Sequence, residues 1–224
     1  IETLVGNCDT GLLPSVVDKV IKASKKSVGL PSKIGSSKVI SLLVLQNPTS
    51  LSEFGSKLLK TCFSGLNDRS FTVSEAYTVS FGRVCKVCKP GKVGKYAGKL
   101  TEKYFNSEDS SSRVIAGMAI MSMFKYSTEM FQNVESALLP LVFIGMHDSD
   151  DVAETYTKIW NESTSSSSGT VNLYMEEIIS LAAQRLKSNN FNIKITCAKS
   201  VCEACAQASV ETPLNTIPQL FKVI

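Results

Sequence analysis

The amino-acid sequence predicts an all-α fold built from about five and a half stacked helical hairpins. Three observations support this fold class: apolar residues recur at helical spacing in one segment after another, no segment alternates like a strand over a useful length, and the pattern repeats about every forty residues. The 224 residues can bury a sizeable core, and 43% hydrophobic with 20% charged residues is typical of a globular protein.

Helical spacing of apolar residues, interrupted by turn-forming residues such as Pro48, Pro90-Gly91 and Asn189-Asn190, sets the boundaries of the predicted helices. Acidic residues that follow Ser149 mark another helix start, because the helix dipole favours them there. The predicted helices span residues 11–27, 32–46, 50–65, 70–88, 92–105, 111–126, 128–146, 150–161, 171–188, 191–208 and 213–224.

The first apolar residue of every second predicted helix recurs at nearly constant spacing. These residues are separated by 39, 41, 38 and 41 positions, and they are Ile34, Val73, Val114, Val152 and Ile193. The period suits HEAT or armadillo repeats, which run roughly 40–47 residues, and exceeds that of ankyrin and tetratricopeptide repeats. The sequence therefore predicts one α-α superhelix, a HEAT/armadillo-like solenoid over residues 1–224. Its approximate repeats are 11–47, 48–89, 90–127, 128–169 and 170–210, with a partial repeat at 211–224.

Shorter sequence motifs repeat as well. The turns at 65–68 and 145–148 both begin with glycine and end with aspartate, and they lie 80 residues apart, which is two periods. Leu-Leu-Pro occurs at 12–14 and 138–140, and Thr-Ile-Pro at 216–218, so we expect a proline kink in the first helix of these hairpins. The serine-rich segment Ser163–Gly169 is expected to be a mobile loop.

Composition narrows the function classes. No apolar run reaches the roughly 18 to 20 residues of a membrane span, and a net charge of +4 is too small to indicate nucleic-acid binding. Seven cysteines, an odd number clustered late in the chain, fit a reducing cytoplasmic or nuclear setting. The chain begins at Ile1 and ends within an amphipathic pattern, so we expect a segment cut from a longer protein.

Two CxxC pairs, Cys85/Cys88 and Cys202/Cys205, could hold zinc or form a redox dithiol. About 113 residues separate the pairs, whereas zinc ribbons use roughly 15–20, and each pair lies inside a predicted helix. Core packing is therefore the favoured interpretation, with a zinc or dithiol site as the alternative.

No catalytic constellation is visible in the sequence. His147 is the single histidine, which removes most general-base and histidine–metal schemes, and its place in a turn beside Asp148 favours a local hydrogen bond or a helix cap. Motifs for a nucleophilic serine, a phosphate-binding loop or a dinucleotide are missing. We expect no enzyme activity, no cofactor and no small-molecule substrate.

A series of lysines recurs every three or four residues through a turn and the following helix: Lys86, Lys89, Lys92, Lys95, Lys99 and Lys103. Its helical part, Lys92, Lys95, Lys99 and Lys103, would form a basic stripe able to meet an acidic partner. The alternative is the ordinary solvated face of an amphipathic helix. Nucleic acid is disfavoured, because no aromatic series for base stacking accompanies the lysines.

Several ordered segments resemble one protein family. They are SGLNDRS at 64–70, LPLVFIGMHD at 139–148, IWNES at 159–163 and NLYMEEIISLAAQRL at 172–186. In this order they resemble the proteasome adapter and scaffold family of very large HEAT-repeat proteins, with a composition that favours a fungal-type member.

The resemblance implies a non-catalytic scaffold, cytoplasmic and nuclear, that binds the 26S proteasome at its core particle and its regulatory ATPase ring and acts in assembly quality control and stress responses. The resemblance assigns no functional residues to positions of this sequence. The alternative is another HEAT-repeat adaptor, such as a nuclear import receptor. That class uses acidic residues and tryptophan on its second helices, whereas Arg83, Lys86, Lys194 and Lys199 lie on the second helices here.

Overall fold

The computed structural model describes residues 11–208, which form twelve α-helices and no strand. The helices are α1 Leu13–Lys26, α2 Leu30–Gln46, α3 Gly55–Gly65, α4 Phe71–Cys85, α5 Pro90–Phe105, α6 Ser110–Tyr126, α7 Thr128–Gln132, α8 Glu135–Gly145, α9 Asp150–Ser163, α10 Ser167–Leu173, α11 Met175–Arg185 and α12 Phe191–Gln207. Within this range, every helix is too short or too polar to cross a membrane.

The helices pair into five hairpins, which confirms the predicted all-α fold class. The first helices are α1, α3, α5, α7 with α8, and α10 with α11, while the second helices are α2, α4, α6, α9 and α12. Each of the five residues that defined the period lies in a second helix. The helix predicted at 213–224 and the partial repeat at 211–224 lie outside the described residues.

The contacts divide the described chain into two compact units. The first comprises residues 11–96 and 118–133, and the second comprises residues 97–117 and 134–208. The third hairpin, α5 with α6, contributes residues to both units.

In the first unit, α1 packs on α2 and α3, while α4 packs on α2 and α3. Small hydroxyl side chains join α2 to α4: Ser37 donates to the Ala76 carbonyl at 2.8 Å, and Ser80 donates to the Ser37 carbonyl at 2.8 Å. Because these buried hydroxyls satisfy one another, the two helices can approach closely without leaving a polar group unpaired.

In the second unit, α8 is the central element and contacts α9, α11 and α12. Its residues 138–145 are all buried, so this helix is apolar on every side. The Tyr156 ring of α9 and the Ile178 side chain of α11 are also excluded from solvent. A helix buried all round is typical of the interior of a helical stack.

Each unit has a glycine at the end of a first helix that packs on a tyrosine ring. A methyl group added to Gly65 would overlap the Tyr77 ring, and one added to Gly145 would overlap the Tyr156 ring. Both glycines end a first helix, and both tyrosines lie in the second helix that follows. The 80-residue correspondence of the two turns is therefore a correspondence in packing.

Several predicted helix boundaries are wrong. The helix predicted at 128–146 is two helices, because Val134 leaves the helical conformation between α7 and α8. The helix predicted at 171–188 is likewise divided at Tyr174. The repeat boundary placed between 169 and 170 falls inside α10.

The mobile loop predicted for Ser163–Gly169 is also wrong, because most of the segment belongs to α9 and α10. Ser166 caps α10 by accepting a hydrogen bond from the Gly169 amide at 3.3 Å. The Ser167 hydroxyl accepts from the Trp160 indole at 3.1 Å and donates to Gln207 at 3.0 Å. Serine hydroxyls satisfy backbone donors at a helix start, so a serine run can begin a helix as well as form a loop.

The prediction that Pro14 and Pro140 both kink a first helix is wrong. Pro140 lies inside α8, but Pro14 lies in the first turn of α1, where a missing backbone donor costs nothing. A shared proline kink therefore does not exist at these two positions, and Pro218 lies outside the described residues.

Candidate protein-contact surface

The basic stripe predicted from the sequence lies along α5. Lys92 and Lys95 belong to the first unit, and Lys99 and Lys103 to the second. With 3.6 residues per turn, these four positions fall within an arc of about 80° on the helix. The Lys92, Lys95 and Lys99 side chains are exposed.

Residues on the other side of α5 are buried. In the first unit these are Val93 and Tyr96, and in the second they are Ala97, Leu100 and Tyr104. The helix is therefore amphipathic, as the lysine spacing predicts, and its polar side carries positive charge.

Lys103 differs from the other three lysines. Its side chain is half-buried, and this burial lowers its pKa, an effect that the nearby Asp109 carboxylate opposes. A half-buried amine is less accessible to a partner than an exposed one. The exposed lysines of the predicted stripe are thus Lys92, Lys95 and Lys99, which we call the α5 lysine face.

A buried polar network anchors the C-terminal end of α5 within the second unit. Tyr104 donates a hydrogen bond of 2.6 Å to Asp148, and the Arg113 Nε atom lies 3.0 Å from the same carboxylate oxygen. The Asp148 and Arg113 side chains are only 3% and 5% exposed. Arg113 also donates to the Ser107 carbonyl at 3.1 Å, just after α5 ends. These contacts join the last turn of α5 to the first turn of α6 and to the turn that contains Asp148.

The network changes the titration of its tyrosines. Burial raises the pKa of Tyr104 well above its usual range, and the neighbouring Asp148 charge raises it further. Burial likewise raises the pKa of Tyr156, whose hydroxyl donates to the Arg113 carbonyl at 3.2 Å. Both hydroxyls therefore stay protonated and act as hydrogen-bond donors rather than as catalytic bases.

An equivalent ion pair lies in the first unit. Lys33 contacts Asp68 at 2.5 Å, and the two side chains are 26% and 18% exposed. Burial tends to raise the pKa of Asp68, but the hydrogen bond from Lys33 and that from the Ser70 amide outweigh it and lower the value. Lys33–Asp68 and Arg113–Asp148 both join residues 35 positions apart. Each aspartate holds a cation from the first turn of a preceding second helix.

One acidic residue shares α5 with the lysines in the second unit. Glu102 accepts hydrogen bonds from Arg185, whose guanidinium also stacks 4.6 Å above the Phe105 ring. The hydrogen bond from Arg185 lowers the pKa of Glu102, and burial opposes that shift. Glu102 is therefore the acidic partner of Arg185 in the second unit.

The cysteines support the core-packing interpretation for the first CxxC pair. Cys85 and Cys88 are buried together with Cys62, and burial raises the pKa of Cys88 to about 12. Burial also raises the pKa of Cys85 and Cys62, so all three remain neutral thiols. Within residues 11–208, no three cysteine, histidine or acidic side chains form a group that could hold a metal ion.

The second CxxC pair, Cys202/Cys205, is less buried than the first. Cys202 is exposed and Cys205 is half-buried, so the prediction of core packing is wrong for Cys202. The buried side of α12 runs instead through Ile193, Cys197 and Ala204. A three-residue step places Cys202 and Cys205 on neighbouring positions, but at the edge of the buried side.

The local hydrogen bond or cap predicted for His147 is also wrong. Its Nε2 atom is buried and makes no hydrogen bond to the residues described, while its ring packs against the Phe143 ring with centroids 5.1 Å apart. Burial lowers the pKa of His147. The neighbouring Asp148 forms the polar contacts of this turn, and sequence reasoning missed its partners because they lie 35 and 44 residues away.

Comparison with known proteins shows sequence similarity along the whole chain to proteins named ECM29. Residues 1–105 match the model of the HEAT-repeat domain of "Proteasome adapter and scaffold protein ECM29". The chain is 41% identical over 225 aligned residues to "Proteasome component ECM29" of Saccharomyces cerevisiae, and the match covers 100% of this chain.

More distant relatives show the same relationship. The chain is 26% identical to "Proteasome adapter and scaffold protein ECM29" of Homo sapiens over 92% of its length, and 28% identical to "Proteasome component ecm29" of Schizosaccharomyces pombe over 91%. In each case it spans 12% of the length of the relative. No solved structure matches the chain.

Proposed function

Because the chain belongs to the ECM29 family of HEAT-repeat proteins, we propose that it is a non-catalytic scaffold segment that contacts the 26S proteasome. The observation that carries this proposal is the 41% identity, along the entire chain, to a protein named as a proteasome component. The human relative, named as a proteasome adapter and scaffold, supports the same role.

The α5 lysine face is the contact surface in this proposal. Lys92, Lys95 and Lys99 are exposed and follow one side of a helix, which suits an acidic patch on a large partner. Exposed ion pairs contribute only about 0.2–1 kcal/mol each, so binding needs several of them acting together. Contacts on other turns and helix faces add to these, and single alanine substitutions on the surface seldom abolish binding.

Within the 26S proteasome, the proposed partners are the core particle and the ATPases of the regulatory particle. The proposed role is in quality control of proteasome assembly. A stack of helical repeats offers extended surface rather than a deep pocket, and that reach suits a multi-subunit partner. We also propose that the protein works in the cytoplasm and the nucleus. Fluorescence microscopy of the tagged protein tests the location, and exclusion from both compartments would refute it.

The test of proteasome contact is capture of purified 26S proteasomes by the immobilised chain. The variant Lys92→Glu/Lys95→Glu/Lys99→Glu reverses the α5 lysine face, and Lys103 is kept because it is half-buried. The control Lys38→Glu/Lys158→Glu/Lys187→Glu makes the same charge change at exposed lysines elsewhere. Three lost ion pairs weaken binding by about tenfold, and charge repulsion adds to that.

We expect the wild-type chain and the control to capture proteasomes, and the α5 variant to capture far less at equal helix content by circular dichroism. Equal capture by all three proteins would remove the α5 lysine face from the proposal. Absence of capture by the wild-type chain would refute direct contact altogether. Repeating the assay with separate core and regulatory particles tests these two proposed partners.

A further inference from the structure

A second positively charged surface lies in the first unit, away from α5. Residues of α1, α3 and the first turn of α2, together with Ser27 and Asp68 of the turns after α1 and α3, line a groove of about 580 Å³. Four lysines and two aspartates contribute to the lining: Lys25, Lys33, Lys57, Lys60, Asp18 and Asp68. We call this surface the α1–α3 groove.

The charges of the α1–α3 groove do not cancel. Asp68 is already paired with Lys33 at 2.5 Å, so it cannot neutralise a second lysine as well. The remaining lining charges are three lysines against Asp18. Among residues 11–208, no carboxylate forms an ion pair with the amine of Lys25, Lys57 or Lys60.

Helix geometry does not explain all three lysines. Lys25 lies in the last turn of α1, where a cation stabilises the helix dipole. Lys57, however, lies in the first turn of α3, where the dipole disfavours positive charge, and Lys60 lies at the middle of that helix, where the dipole has little effect. Their side chains are exposed and line the groove wall. The Lys57 amine lies 6.0 Å from the centroid of the Phe54 ring, which leaves it open to an anionic ligand on its other side.

The remaining lining indicates which anion fits. The Ser64 hydroxyl also lines the groove and can donate to a carboxylate, whereas the hydroxyls of Ser27 and Thr61 already donate to the Ala23 and Lys57 carbonyls. No aromatic ring lines the groove, so nucleotide bases would find nothing to stack on. Arginine, whose planar fork suits phosphate, is missing from the lining too. The volume lies within the range of sites that take a small ligand or a few peptide side chains.

We propose that the α1–α3 groove binds a short peptide segment rich in glutamate and aspartate from a partner protein. Lys25, Lys57 and Lys60 would pair with its carboxylates, and the ion pair Lys33–Asp68 would hold the end of the groove in place. This site shares no residue with the α5 lysine face. The result of the proteasome-capture assay therefore does not test it.

The probe is a fluorescein-labelled peptide of about eight residues, rich in glutamate, whose binding to the chain is followed by fluorescence anisotropy. The test variant is Lys25→Glu/Lys57→Glu/Lys60→Glu. The matched control, Lys38→Glu/Lys86→Glu/Lys89→Glu, makes the same charge change at exposed lysines of the same unit that do not line the groove. A peptide with glutamine in place of glutamate tests the need for charge without any change to the protein.

We expect saturable binding of the acidic peptide to the wild-type chain, at least about tenfold weaker binding to the groove variant, and a change under about threefold in the control. Binding should weaken further as salt rises from about 50 to about 300 mM, because screening shortens the reach of the charges. Equal losses in both variants, or binding of the glutamine peptide as tight as that of the acidic one, would overturn the proposal. Tighter binding of a phosphoserine peptide or of single-stranded RNA would also overturn it, by assigning the groove another ligand class.

Discussion

Replacing Asp148 by alanine would leave the Arg113 guanidinium buried in the second unit without its counter-charge. The two side chains are 3% and 5% exposed, and their atoms are 3.0 Å apart. Removing one partner of a buried ion pair typically costs about 3–5 kcal/mol, because the remaining charge stays desolvated. Tyr104 would lose its acceptor at 2.6 Å in the same step. We therefore expect the free energy of unfolding to fall by about 3–5 kcal/mol.

The chain contains a matched control for this substitution. Asp68 occupies the corresponding turn of the first unit and holds Lys33, also 35 residues earlier. That pair is 26% and 18% exposed, so water can solvate the lysine when the carboxylate is removed. Partly exposed pairs contribute about 0–1 kcal/mol, and Asp68→Ala should cost no more than that.

Thermal and urea unfolding followed by Trp160 fluorescence would measure the difference. Trp160 is the one tryptophan in the chain and lies in α9 of the second unit, so its signal reports on the unit that contains Asp148. For a chain of this size each kcal/mol shifts Tm by about 2–4 °C, which predicts a drop of about 6–20 °C for Asp148→Ala. Circular dichroism, which follows both units, should show a drop of about 4 °C or less for Asp68→Ala. Equally small effects of both substitutions would refute the view that burial makes these two related pairs unequal.

Three further substitutions or reactions have defined outcomes. Ile120→Asp places an unpaired carboxylate at a fully buried position of α6 and should cost about 4 kcal/mol or more in urea unfolding, so unchanged melting would contradict the packing of this helix. Gly145→Ala would force a methyl group into the Tyr156 ring and lose about 1–3 kcal/mol, whereas Gly98→Ala, which meets open space in α5, should gain about 0.5–1 kcal/mol; the opposite order of Tm values would refute this. Iodoacetamide should label Cys202 in the native chain well before the buried cysteines, and mass spectrometry showing equal rates would contradict the burial described above.

Repetition made much of the fold predictable from the sequence. A period near forty residues located the second helices α2, α4, α6, α9 and α12, because the same apolar position recurs in each of them. Exceptions arose where local chemistry overrides the pattern. Val134 leaves the helical conformation between α7 and α8, and Ser166 begins a helix by bonding an amide. Neither event changes the apolar spacing from which the helices were inferred.

The candidate contact surface was predictable in part. Helical spacing placed the lysines on one side of α5, but the half-burial of Lys103 depends on tertiary packing that spacing cannot supply. The Arg113–Asp148 ion pair could not be predicted from helical spacing for the same reason, since it joins residues 35 positions apart. One signal was available: the two turns that end in Asp68 and Asp148 each have a cation 35 residues earlier.

The most direct test of proteasome contact is a site-specific cross-link from the α5 lysine face. The photo-reactive residue p-benzoylphenylalanine would replace Lys95, an exposed position, and in a parallel variant it would replace Lys38, which is exposed on α2. Each chain would be irradiated with purified 26S proteasomes, and the cross-linked subunits identified by mass spectrometry. We predict a proteasome subunit attached through position 95 at a yield well above that from position 38. Equal background yields from both positions would contradict contact through this face.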